Sequence, residues 1–69
     1  MTTLGTLKIG TVITYNDSSN INLESIVIGN ETNDFGVFVK VIKKETNNIE
    51  LLNANTEIDN RRWSVVANG

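Results

Sequence analysis

The side chains that could do chemistry in this 69-residue chain are eight carboxylates and six cations, because it contains no histidine and no cysteine. Without an imidazole or a thiol the usual nucleophile and base pairs cannot be assembled. The Cys/His ligand sets of structural zinc are missing too. Acid–base work would fall to Asp17, Glu24, Glu31, Asp34, Glu45, Glu50, Glu57 and Asp59. A glycosidase-like pair needs two of them facing each other across a cleft, and a chain this short has little room for one. Solvated loop acids are the plainer reading. The sequence therefore predicts no catalytic residue, no metal and no cofactor: a protein that is not an enzyme.

The cations are less evenly spread. Five of the six, Lys40, Lys43, Lys44, Arg61 and Arg62, fall in two segments. If those segments are neighbours, a chain of net charge −2 carries a basic face able to hold a small anionic ligand or an acidic partner. In Arg61-Arg62-Trp63, guanidinium groups and an indole stand where phosphates, purines or an interface could be recognised. Two points weigh against it. Trp63 is in phase with Val65 and suits a core, and successive strand side chains alternate, so Arg61 and Arg62 cannot both point one way. The acidic balance also argues against coating duplex DNA, whose binders are strongly basic. The expected ligand-binding set is Lys40, Arg61, Arg62 and Phe35.

The elements that must position these residues are strands, because apolar residues alternate rather than recur every three to four positions. Five runs qualify: Leu7 to Tyr15, Glu24 to Ile28, Gly36 to Lys43, Ile49 to Leu52 and Arg61 to Ala67. The loops between them, Asn16 to Asn20, Asn30 to Asp34 and Asn53 to Asn60, are rich in Asn, Asp and Ser, as turns are. Thr46-Asn47-Asn48 predicts a hairpin, since Asn tolerates the positive φ a tight turn requires. The alternative there is a helix with Asn47 as N-cap and Glu50 at N3. Residues 1–69 form one domain, predicted to be an all-β, five-stranded SH3-like barrel, with an OB-like barrel as the alternative; closure would remove exposed sheet edges.

Phase then divides the apolar residues. Leu7, Ile9, Ile13, Ile26, Ile28, Val37, Val39, Val41, Ile49, Leu51, Trp63 and Val65 are assigned inward. Val12, Val27, Phe38, Ile42, Leu52 and Val66 are left pointing out. Burying such a side chain is worth roughly 1.5–3 kcal/mol, and contiguous exposed apolar patches mark interfaces. Small chains also need a staple beyond their own core, and with neither disulfides nor metal ligands the remaining one is association. A homo-oligomer is expected, with those six residues as its interface.

Asp34-Phe35-Gly36-Val37-Phe38-Val39-Lys40-Val41 resembles the third-strand stretch of the RNA-binding OB domains first named from a ribosomal protein. That resemblance implies a stacking and phosphate-contact set of Phe35, Phe38 and Lys40 on a single strand of RNA. It covers eight residues, and the Gly-x-Val strand that the family carries just upstream lies far off here, at Gly10-Thr11-Val12. A Gly-x-Val first strand with a terminal Trp-x-Val strand is also similar to small barrel proteins of phages, and the Asn-rich, proline-free composition fits an AT-rich genome. The glycosylation triplets Asn16-Asp17-Ser18 and Asn30-Glu31-Thr32 are the number chance supplies. The start lacks a basic segment followed by an apolar run, so no signal peptide is read there, and no apolar stretch reaches membrane-helix length. The expected setting is the host cytoplasm or a virion. The expected function is a non-enzymatic binding module: a phage or viral accessory protein whose oligomer binds a host protein or an anion such as a signalling nucleotide. The alternatives are a decoration or connector subunit of a virion and a single-stranded RNA-binding domain.

Overall fold

The computed structural model, which describes residues 2–16 and 22–69, turns the alternating runs into five strands. These are β1 (Val12–Asn16), β2 (Asn22–Asn33), β3 (Gly36–Lys43), β4 (Ile49–Asn53) and β5 (Trp63–Ala67), with a 3₁₀ turn at Leu4–Thr6. All five join one antiparallel sheet in the order β4-β3-β2-β1-β5. The all-β expectation holds. At Asn47 the structure has a hairpin turn and not a helix: Asn47 takes φ 57°, its N–H donates to the Lys43 carbonyl at 2.8 Å, and the Lys43 N–H donates to Asn48 at 2.8 Å.

The expected closure of the barrel is corrected. Among the described residues β4 pairs only with β3 and β5 only with β1, so the sheet is open, with β4 and β5 as its edges. It curls nonetheless, because Leu52 on β4 and Trp63 on β5 pack against one core cluster of Leu4, Ile13, Val27, Val39, Val41 and Ala54. At one end the gap between the edges is plugged. Leu4 N–H bonds to the Thr56 carbonyl, Gly5 N–H to Ala54 and Ile58 N–H to Thr2, each at 2.9 Å, and Thr3 bridges Glu57. These clips drive Leu4 to complete burial. They require glycine at position 5, where a Cβ would sit 2.9 Å from that of Ala54.

Several boundaries move. β1 begins at Val12 and not at Leu7, because Gly10, at φ 96°, and the Thr11 N–H to Lys8 carbonyl bond turn the chain; Ile9, assigned inward, is exposed. β2 runs on to Asn33, which reduces the expected Asn30–Asp34 loop to a turn at Asp34–Phe35. β5 begins at Trp63, leaving Arg61 and Arg62 in the preceding bend. The expected turn Asn16–Asn20 lies outside the described residues except for Asn16, which ends β1.

Two phases are reversed. Val27, expected outward, is 1% exposed and pairs with Val41, while Ile26 pairs with Ile42 on the other face. A bulge at Val27/Gly29 then leaves Ile28 half exposed. Leu52, also expected outward, packs on the core, whereas Ile49 is 60% and Leu51 42% exposed. The Asn47 hairpin is the cause. It pairs Ile42 with Ile49, so Ile49 must follow Ile42 away from the side taken by Val39 and Val41.

Candidate functional site: a cleft between the sheet edges

Beyond the plug, the described residues of the concave face form a cleft. Tyr15 ends the inward row of β1 opposite Trp63 of β5, and their rings stack tilted, centroids 4.7 Å apart at 48°. This pair forms one wall. Leu23 pairs with Tyr15, and Leu52 stands on the far edge strand; with Ser25, Lys43 and Glu50 they enclose a cleft of about 250 Å³. Lys43 shares the phase of Val39 and Val41, so it reaches this apolar space from β3. Glu50 shares the phase of Leu52, and the two charges meet at 3.2 Å. Both are only about two-fifths exposed, so the pair is partly shielded from solvent screening.

The sequence-expected ligand residues are dispersed. Lys40 lies on the convex face of β3 beside Glu31, at 3.9 Å. β3 is separated from β5 by β2 and β1, so the two cation-bearing segments are not neighbours and the condition for a joint basic face is not met. Lys44 is bonded to Glu24 at 3.1 Å. Arg61 and Arg62 are exposed in a turn whose Asp59 Oδ1 accepts both their backbone N–H groups, at 2.8 and 3.0 Å. Those bonds hold the Asp59 carboxyl below its ordinary pKa. Phe35 sits at the tip of the β2–β3 hairpin, 91% exposed, its N–H bonded to Asn33 Oδ1 at 2.8 Å. Phe38 is half-buried on the convex face. Trp63 is half-buried as well: one side on the core, the other on the cleft.

Of the six expected interface residues, Val12, Phe38, Ile42 and Val66 do lie off the core, and Val27 and Leu52 are the two corrections described above. The convex face instead gains Ile26, Ile49 and Leu51. Register assembles a row across all five strands, Ala67–Val12–Ile26–Ile42–Ile49, each residue paired with the next.

The cleft residues carried a signal that sequence reasoning passed over: a lysine in phase with inward valines, and a glutamate in phase with Leu52 one hairpin later. Among the described residues no group of three His, Cys, Asp or Glu converges to hold a metal, and no helix is long and apolar enough to cross a membrane. No family model matches this chain, and no curated protein or solved structure matches it significantly.

Proposed function

We propose that the chain is a non-enzymatic binding module that self-associates and takes a small planar anion, of the nucleotide kind, in the concave cleft. The observation that supports this is the joining in one cleft of an aromatic pair, Tyr15–Trp63, with a lysine that pairs with Glu50. A ring can lie against the aromatic wall, and an anionic group can replace Glu50 on Lys43, a charge-assisted exchange in a partly desolvated site. The cleft offers no imidazole or thiol to carry a reaction. The proposed setting is a phage accessory role in which such an anion, or a host protein, is captured.

Trp63, the only tryptophan, reports on the site directly. Titration with adenosine monophosphate, a cyclic dinucleotide and anilinonaphthalene sulfonate should change its emission saturably, and Lys43→Met should abolish the response to the nucleotides. Unchanged emission with all three probes at millimolar concentration rejects the reading.

The convex row favours a second reading, a structural subunit that docks through this face, for which Ile42→Lys should abolish assembly and leave Trp63 emission unaltered.

A further inference from the structure

We infer that two copies of the chain join edge to edge along β4, antiparallel and centred on Leu51, to make one continuous sheet of twice the width. This specifies the self-association in the function proposed above and rests on that part of it. The Lys43 N–H bond to Asn48 and the Ala54 N–H bond to Val37 mark the hydrogen-bonded pairs of the β3–β4 ladder. Residues in such a ladder alternate, so Glu50 and Leu52 turn their backbone groups to β3, and Ile49, Leu51 and Asn53 turn theirs to the free edge. Among the described residues the only non-ladder backbone partner at these three positions is the Thr56 N–H, at 3.0 Å from the Asn53 carbonyl.

Edge strands are normally guarded by lysine, proline or a bulge. β4 reads Ile-Glu-Leu-Leu-Asn and pairs with β3 without a register shift. Its one charge, Glu50, faces the cleft and is held by Lys43.

Charge and hydrogen bonding together choose the register. Centring the two-fold axis on Glu50 sets two glutamates directly opposite each other, which is destabilising. Centring it on Leu51 sets Glu50 opposite the partner's Leu52 and pairs all three outward-facing residues: Leu51 with the partner's Leu51, Ile49 with the partner's Asn53. The same step covers Ile49 and Leu51, two of the most exposed aliphatic side chains on the convex face. A second copy also supplies the staple that the small core of the described residues calls for in a chain this short.

The test is native mass spectrometry and light scattering of the full chain at micromolar concentration, with three variants. The wild type should run at twice the 7.6 kDa of one chain. Leu51→Pro removes an N–H that faces the free edge and leaves the β3–β4 ladder intact; it should give a folded monomer by circular dichroism. Leu51→Lys should do the same, and it decides the matter if the proline variant does not fold. Leu51→Cys places a lone thiol in a chain without others, and facing residues of a hydrogen-bonded pair stand about 5.5 Å apart, within disulfide reach, so mild oxidation should cross-link the dimer. A wild-type dimer unaffected by Leu51→Lys and not cross-linked at position 51 overturns the β4 seam and leaves self-association standing. A monomeric wild type overturns both, while the Trp63 titration still decides the cleft independently.

Discussion

The two ends of the concave face are built from the same strands and end differently. At one end Leu4, Ala54 and Ile58 complete the core, clipped in place by three backbone bonds between residues 2–5 and 54–58. At the other, the same inward rows run on to Tyr15, Trp63, Leu23 and Leu52, which among the described residues line a cleft with Ser25 and the Lys43–Glu50 pair. The first end is thus filled by the chain's own connections. The difference teaches that one end of this open sheet is filled by a plug of non-strand residues and not by strand pairing, while the other end presents the cleft to which binding is assigned in the proposed function.

If the plugged end carries stability and the open end carries binding, substitutions at the two should separate. The largest effect is expected from Leu4→Ala, which should cost about 2–5 kcal/mol in chemical denaturation, the range for a buried leucine truncated in a core that cannot collapse. That is a large share of the stability of a domain of this size. Gly5→Ala drives a methyl into Ala54 and should cost about 1–3 kcal/mol by overpacking, with probe binding at Trp63 unchanged wherever the protein is folded. Equal losses of binding and stability from either variant would break the comparison.

At the open end, Leu23→Ala removes a half-buried wall residue and should cost about 1 kcal/mol, roughly half the value of full burial, yet weaken probe binding several-fold. Lys43→Met should leave stability within about 0.5 kcal/mol, as for a partly exposed ion pair, and eliminate anion binding. Smallest of all is the pH effect at Asp59. Its folded-state pKa lies below the unfolded one, held down by the Arg61 and Arg62 amides. The stabilisation is therefore full above the unfolded value and is lost as pH falls through the folded one, in the region below about 4. Asp59→Asn should flatten that part of the acid unfolding curve and move nothing at neutral pH.

Most of the fold was legible because alternation is a local property. Val37, Val39 and Val41 announce β3 by themselves, and Asn47 announces its hairpin. What was not legible depended on partners. Ile26-Val27-Ile28 offers two residues to one face and one to the other, and Ile49-Glu50-Leu51-Leu52 does much the same, so counting apolar side chains chose the wrong face twice. Register with β3 reversed both, because the pairs Val27 with Val41 and Ile42 with Ile49 outweigh the local majority. Leu4, Ala54 and Ile58 belong to no strand, and only the contact between segments 50 residues apart reveals them as core. The candidate site was hidden for the same reason. Its parts come from all five strands, and the cations that looked clustered in sequence are parted by the order of the sheet.

The comparison between the ends is tested most directly by following backbone amide chemical shifts while adenosine monophosphate or anilinonaphthalene sulfonate is added to ¹⁵N-labelled protein. Shifts confined to Tyr15, Leu23, Ser25, Lys43, Glu50, Leu52 and Trp63, with Leu4, Ala54 and Ile58 unmoved, are the predicted result. Shifts centred on Lys40 or on Arg61 and Arg62, or none at all, would contradict it.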